Sequence, residues 1–515
     1  MPHDKLNTQA FKSGNSMRRL IPYLLALLGG LLLPFSFSPF DWPWLAPVCL
    51  VLLFGSWLKA TPFQAFLRGY LFGMAQFGVG ISWVYFSMHD YGGASALEAG
   101  GLTALFVLIL SCYPALAGWL AVYLFGDYGK HIKLLVAFPA FWIIFEWLRG
   151  WFIADFPWLQ VGSSQVDTPL GHGLAPLLGV HGVSLAVALL AGLSLSVLDR
   201  NDWRRRSAMM GIGILIVSCA WLGRIQWTQP AGPPFKVALL QGNVPQNQKW
   251  QPEFQLATLE LYAGMTRQHW DARLVVWPET AIPAYYHQVK DTWLVDLRKE
   301  AAPHNTDLII GMPWYDLTTQ RYYNAMVSVA EKPGTYLKRH LVPFGEYLPF
   351  RHVFGWVLKI LEIPLADFAS GEKGQEPIQA AGYPVAASIC YEDVFGHEAR
   401  DALPQAAYLV NVTNDAWFGD SMAPRQHVQI ARMRAMESGR YLVRATNTGI
   451  TAAISPDGKI ISQAPMFVQT SITAEITPMS GATPYIFFGD WLVIGVLVGV
   501  LGFVKIQRFQ YPITT

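Results

Sequence analysis

Charge is scarce in this sequence. Only 14% of its 515 residues are Asp, Glu, Lys or Arg, where ordinary soluble domains carry about a quarter. With 52% hydrophobic residues and a mean hydropathy of +0.28, that argues against a wholly soluble protein. The 37 Lys and Arg barely outnumber the 35 Asp and Glu, so no basic excess points to nucleic acid. Four cysteines are too few for a disulfide framework. Neither GxGxxG nor a P-loop is present, which argues against a nucleotide cofactor. There are no repeats and no low-complexity runs. What abounds is aromatic: 20 Trp, 21 Tyr and 30 Phe suit long contact lines along lipid headgroups.

The apolar residues gather in long stretches. Residues 20–40, 42–58, 69–88 and 99–125 contain no charge, and residues 134–145 run on to 147. Residues 170–198 and 207–223 follow, and 485–504 hold only Asp490, near their start. A helix crossing the hydrocarbon core needs about 20 residues, so eight transmembrane helices are expected, seven of them before residue 225. The first follows a basic stretch, as a signal peptide would. Its length and the seven further segments fit a retained helix. Cations lie in alternate connections: Lys5, Lys12, Arg18 and Arg19; Lys59 and Arg68; Lys130 and Lys133; Arg200 and Arg204 to Arg206; Lys505 and Arg508. By the positive-inside rule both termini are expected on the cytoplasmic side. The expected division is a tail (1–19), helices one to seven (20–224), a globular domain outside the cytoplasm (225–483), helix eight (484–506) and a second tail (507–515).

The globular stretch alternates strand and helix patterns. Strands are expected at 236–241 (KVALLQ), 274–277 (LVVW), 308–311, 325–329, 385–390, 408–412, 441–446 and 450–454. A turn at 456–458 (PDG) leads into 459–462. The clearest helix is 426–439. An α/β domain results.

Cys49, Cys112 and Cys219 fall in apolar segments and read as small core residues. Cys390 is the only cysteine of the globular domain, at the end of an apolar strand and directly before Tyr391, Glu392 and Asp393. It is either a buried inert thiol or a nucleophile. A thiol nucleophile needs a base. His340, His397 and His427 are available, but none stands in a recognisable Cys-His setting. Glu279, in WPET at the end of LVVW, is another candidate; its plain reading is a solvated loop acid. Lys338 is ordinarily a surface lysine, yet it precedes the apolar LVPF turn.

Together these segments resemble the carbon–nitrogen hydrolase (nitrilase) superfamily. WPET (277–280) is similar to its Glu motif, YLKRHLVPFGEYLPF (336–350) to its Lys motif and SICYEDVF (388–395) to its Cys motif. The order matches, and the separations of 59 and 52 residues suit the family. The resemblance implies a four-layer αββα sandwich and a Glu279–Lys338–Cys390 triad. The whole chain, a nitrilase-like domain between a seventh and an eighth membrane helix, resembles the apolipoprotein N-acyltransferase family of bacteria with an outer membrane. FPWLQVG (156–162), QGNVPQNQKW (241–250) and NDAWFGDS (414–421) add to the likeness.

That family implies acyl transfer in two steps without a cofactor or metal. Glu279 acts as base, Cys390 takes an acyl group from the sn-1 position of a phospholipid, and the α-amine of a lipoprotein's diacylglyceryl-cysteine receives it. Lys338 and the Tyr391 N–H are the candidates for oxyanion stabilisation. Glu346 is expected to hold Lys338 or the incoming amine, with Glu392 in support. Trp250, Phe395, Trp417 and Phe418 are lid or acyl-chain candidates, or ordinary core. A monomer in the bacterial inner membrane is expected, its catalytic domain periplasmic. Glu146 and Arg149 share a helix face and form either a headgroup-level pair or a substrate contact. A membrane-bound amidase would use the same triad and let water resolve the thioester; eight membrane helices favour a lipid substrate. A transporter or scaffold with a degenerate domain would not retain all three triad residues.

Overall fold

The computed structural model describes residues 4–343, 345–347 and 368–510. Phe344, Leu348, Pro349 and Phe350 of the lysine motif lie outside the described residues, as do the ends of both expected tails.

The apolar stretches form a helical membrane domain. It comprises α1 (Asp4–Leu32), α2 (Leu45–Trp57), α3 (Pro62–Gly80), α4 (Ala96–Phe125), α5 (Phe138–Leu148), α6 (Pro169–Val197) and α7 (Asp202–Leu222). Among the described residues six helices are long and apolar enough to cross a membrane, α5 counted from Lys130 and Trp491–Arg508 among them. The pair Pro62–Gly80 and Val84–Tyr91, bent by 59°, makes a seventh. The second expected span is shorter than its apolar run. The turn at Trp42, Pro43 and Trp44 delays α2, whose 13 residues rise only about 20 Å. The first is longer: α1 begins within the expected tail, at Asp4.

One rim of the bundle gathers cations onto helix ends. Arg68 donates to the Ser56 carbonyl, and Lys133 to those of Leu58 (3.1 Å) and Gly126 (3.0 Å). Lys130 donates to the Leu195 carbonyl at 3.2 Å. Cations there satisfy orphan carbonyls and oppose the negative end of the helix dipole.

Among the described residues the globular domain stacks two six-stranded sheets. The first has the order β12-β1-β2-β3-β4-β5, with β1 Phe235–Gln241, β2 Leu274–Val276, β3 Asp307–Asp316, β4 Arg321–Val329, β5 Thr335–Leu337 and β12 Thr470–Ile476. The second has the order β11-β10-β9-β8-β7-β6, with β6 Ile378–Ala380, β7 Tyr383–Ile389, β8 Tyr408–Thr413, β9 Leu442–Thr446, β10 Ala452–Ile454 and β11 Ile460–Gln463. Val237, Val276 and Ile309 of one sheet meet Val385, Val410 and Val443 of the other in a shared apolar layer. Helices α8 (Pro252–Arg267) and α9 (Trp293–Ala301) cover the outer face of the first sheet. Helix α10 (Ala423–Ser438) covers that of the second. The layers therefore run αββα. Helix α11 (Trp491–Gln510) returns to the bundle.

Helix α10 is buried on both sides. Val428, Ala431 and Ala435 face the sheet, while Ile430, Met433 and Met436 join the bundle's core. Its polar side chains also reach into the bundle. Gln426 Oε1 accepts from the indole N–H groups of Trp158 (2.7 Å) and Trp83 (3.2 Å), and its Nε2 donates to the Gly80 carbonyl (3.1 Å). Glu437 accepts from the Val180 N–H at 2.7 Å. Gly439, with φ of +61°, ends the helix in the left-handed conformation that glycine adopts freely.

Candidate active site

Three chain turns converge at the C-terminal ends of the strands. β2 continues through buried Trp277, whose N–H bonds the Ile309 carbonyl, and Pro278 then ends the ladder. The next residue is Glu279, and Thr280 behind it has φ of +49°. Gly311 lies under this turn: a Cβ there would come within 2.5 Å of the Pro278 carbonyl oxygen. The Glu279 carboxylate is buried and accepts from Asn324 Nδ2 at 2.6 Å. Lys249 donates to its backbone carbonyl at 3.1 Å. Burial pushes the Lys249 ammonium down to about 8, with Glu279 opposing.

Lys338 follows β5, and its N–H is fixed to the Asn324 carbonyl at 2.8 Å. Its side chain is 1% exposed, with Nζ 2.8 Å from Glu346 Oε1 and 3.8 Å from Glu279 Oε1. Burial alone would pull the ammonium down. Glu346, Glu279 and Cys390 together outweigh burial and hold it above the ordinary lysine range. Glu346 also accepts from the Val342 N–H (2.8 Å) and from Asn324 (3.2 Å). Asn324 therefore bridges both carboxylates.

Cys390 sits at the end of β7 with φ of +53°. That is uncommon for a non-glycine residue and typical of functional turns. It packs against the layer between the sheets. Burial pushes the thiol well up and Glu279 adds to this; Lys338 opposes both without winning. The thiol, not the thiolate, is the resting form.

Glu392 ties this turn to the lysine segment. Its carboxylate accepts from the N–H groups of Ile389 (2.7 Å), Arg339 (2.6 Å) and His340 (3.2 Å), and from the Tyr336 hydroxyl (3.0 Å). Burial, with Glu398 adding, raises its pKa to about 7. Those four donors engage it in positioning the backbone. The Tyr391 ring points into the bundle and stacks near Trp158, with its hydroxyl on the Asp155 carbonyl at 2.8 Å.

Behind the nucleophile lies a buried polar network. His427 bridges Asp393 (2.7 Å) and Asp415 (3.1 Å), and Arg444 binds both acids. His427 is thus committed to structure. His340 bonds Asp155 and Glu398, and His397 lines a crevice between domain and bundle with Trp147, His181 and Arg434. Glu146 and Arg149 are both buried and do not pair with each other. Glu146 accepts from the Val161 N–H (2.9 Å), and Arg149 donates to the carbonyls of Phe156 (2.9 Å) and Trp158. They brace a loop.

The lid candidates separate. Trp250 is 51% exposed. Trp417 and Phe418 dock on the bent third span: Trp417 sits edge-on to Tyr91, Phe418 sits edge-on to Trp83, and Ser87 bonds the Trp417 carbonyl at 2.8 Å. Phe395 is buried and stacks on His340 at 3.6 Å.

Two comparisons bear on this arrangement. The profile for the apolipoprotein N-acyltransferase N-terminal domain matches residues 29–193, and the carbon-nitrogen hydrolase profile matches residues 236–485. An apolipoprotein N-acyltransferase of Methylococcus capsulatus is 54% identical, covering 94% of this chain and 96% of that one. The chain belongs to the apolipoprotein N-acyltransferase family. Relatives of that name from Nitrosomonas europaea and Coxiella burnetii are 43% and 40% identical, over 90% and 92% of this chain and 93% and 98% of theirs. Family membership makes the protein an acyltransferase built from a membrane helix bundle and a nitrilase-type domain.

The sequence left Asn324 and Lys249 unmarked. Asn324 carried a weak signal, as a polar residue at the head of the mostly apolar inner half of β4 (NAMVSV). Lys249 lies within the family-like segment QGNVPQNQKW, but nothing local foretells its burial.

Proposed function

We propose that the protein transfers a fatty acyl group from the sn-1 position of a phospholipid, through a thioester on Cys390, to the α-amine of a lipoprotein's diacylglyceryl-cysteine. The observation that carries this reading is the buried Lys338 ammonium, set 2.8 Å from Glu346 and 3.8 Å from Glu279 beside the Cys390 turn. The domain holding it is docked on a membrane bundle, where both lipid substrates reside.

Glu279 takes the thiol proton as sulfur attacks the ester carbonyl. Because burial keeps Cys390 protonated, base and nucleophile act together. Lys338 and the Tyr391 N–H stabilise the oxyanion of the tetrahedral intermediate. As it collapses, the C–O bond breaks and Glu279 returns its proton to the lysophospholipid alkoxide. The neutral amine then attacks the thioester. Glu279 takes a proton from it, the C–S bond breaks, and the proton passes back to sulfur. An amide and a free thiol result.

Anchoring has a physical reason. Extracting an acyl chain into water loses about 0.8 kcal/mol per CH₂. A site at the outer surface of the inner membrane, reached from the bilayer, avoids most of that loss. The reading places residues 225–483 in the periplasm and treats the protein as a monomer.

Intact-mass analysis after incubation with phospholipid is the test. One acyl group is expected, removable by hydroxylamine and mapped to a peptide containing Cys390. Cys390→Ala abolishes it in a folded protein, and Glu279→Gln blocks it with the thiol still present. An acyl group elsewhere, or none, overturns the mechanism.

A further inference from the structure

The loop after α5 is backbone-strained. Ile153, Asp155 and Leu159 have φ of +65°, +49° and +56°. A β-branched residue there is a true outlier, and such strain persists only where the surroundings impose it. The bundle imposes it here. Arg149 and Glu146 hold the loop's second half by the bonds already described. The Tyr113 hydroxyl donates to the Phe152 carbonyl and accepts from the Ala154 N–H at 3.3 Å. The tip, Trp151 to Ile153, is exposed, Ile153 to 72%.

What this held backbone presents is Asp155. Its carbonyl accepts from the Tyr391 hydroxyl at 2.8 Å. Its Oδ2 accepts from His340 Nε2 at 2.8 Å. Tyr391 follows Cys390 directly, and His340 stands two residues after Lys338. One residue of the membrane domain therefore touches both turns, that of the nucleophile and that of the ammonium.

We infer that Asp155 is a positioning residue for acyl transfer: through His340 and Tyr391 it sets the Lys338 and Cys390 turns, so that the bundle completes the catalytic site. The inference rests on the acyl-transfer reading above. His340 also donates from Nδ1 to Glu398 at 3.1 Å, so bridging the two carboxylates needs both ring protons. Its other neighbours are the Phe395 ring beneath it, Tyr391 edge-on, Arg339 bound to Asp401 and Glu398, and His397. Burial opposes the charge, but Asp155 and Glu398 raise the imidazole to about 9. The clamp is therefore closed at neutral pH and opens as pH rises through that value.

The test uses the full chain in vesicles of phosphatidylethanolamine and phosphatidylglycerol. Cys390 acylation is followed by mass from about pH 6 to about pH 10. Asp155→Asn keeps the backbone carbonyl and removes one carboxylate from His340. Acylation should slow by about tenfold or more, and its alkaline limb should move acidward by about one pH unit. His340→Gln, outside the strained loop, should slow it similarly and abolish that limb, and the double variant should be no worse than either single. Acylation within about twofold of the native rate, or a loss that leaves the limb unmoved, overturns the inference. Iodoacetamide alkylation of Cys390 separates the two readings. A native protein that alkylates but never acylates sinks the acyl-transfer reading. The clamp still predicts that Asp155→Asn raises the apparent thiol pKa by drawing Lys338 away, and an unchanged value sinks the clamp.

Discussion

At the scale of single residues, the site is a problem in burying charge. Lys338 is almost wholly enclosed, and an isolated buried ammonium would lose its proton. Glu346 at 2.8 Å and Glu279 at 3.8 Å keep it charged. Asn324 Nδ2 donates to both acids, at 2.6 Å to Glu279 and 3.2 Å to Glu346, and so ties the two carboxylates beside the ammonium. Lys338→Met should therefore do two things. The acylation rate of Cys390 should fall by about 10²–10³, the typical effect of losing one oxyanion donor. The melting temperature should also fall, because buried Glu279 and half-buried Glu346 lose the cation they share. Lys338→Arg should not restore the rate, since a planar guanidinium fork does not fit a slot built for a point charge. Stopped-time mass spectra and thermal unfolding measure the two effects, and full recovery with arginine would contradict this account of the slot. Much of this was legible beforehand. WPET, the lysine motif and SICYEDVF each end or follow a strand, and strand ends are where a fold presents side chains. The partners were not legible: Asn324 comes from the neighbouring hairpin and Asp155 from the membrane domain, and no local pattern records a contact across 185 residues.

At the scale of elements, periodicity and apolar content were legible where they were strong. The inner strands β1, β2, β3 and β8 fall on the expected runs, because strands buried on both faces read as unbroken Val, Ile and Leu. β5, β6 and β12 were missed. β5 and β6 have three residues each, and β12 is a largely half-buried edge strand whose TSITAEI is too polar to stand out. Helix α10 was expected from its spacing, but not its double burial. Gln426 explains how a helix this polar can lie between a sheet and a membrane bundle: one amide joins two indole N–H groups and a carbonyl from the bundle. Gln426→Leu matches its volume and strands all three partners. Each stranded buried group costs about 1–3 kcal/mol, so the variant should melt several degrees lower in detergent. Gln426→Glu should be less harmful, since a carboxylate still accepts from both indoles. Differential scanning fluorimetry of the two variants decides the point, and equal melting points for leucine and native protein would remove the amide from the interface energetics.

At the scale of the whole molecule, orientation follows from where the cations lie. Lys59, Arg68, Lys130 and Lys133 belong to one rim, and Arg68, Lys130 and Lys133 there cap the carbonyl ends of helices. Arg200 sits in the connection between α6 and α7, and Arg204 to Arg206 in the first turns of α7; Asp199 of that connection lies 4.0 Å from Lys130. The globular domain meets the opposite rim, where Trp83, Trp158 and Asp155 receive it. By the positive-inside rule such a cationic rim is expected in the cytoplasm, which agrees with the proposed outward placement of the nitrilase-type domain. Two introduced thiols test this in intact cells with a permeabilised outer membrane. Thr318→Cys, in the exposed β3–β4 turn, should react with a membrane-impermeant maleimide before lysis. Asp202→Cys, at the exposed start of α7, should react only after lysis. Both probes are placed on a Cys390→Ala background, where the remaining native cysteines give little signal because Cys49 and Cys219 are buried and Cys112 lies within α4. If the two labelling patterns were reversed, the triad would face the cytosol, and no lipoprotein displayed on the outer leaflet could reach Cys390.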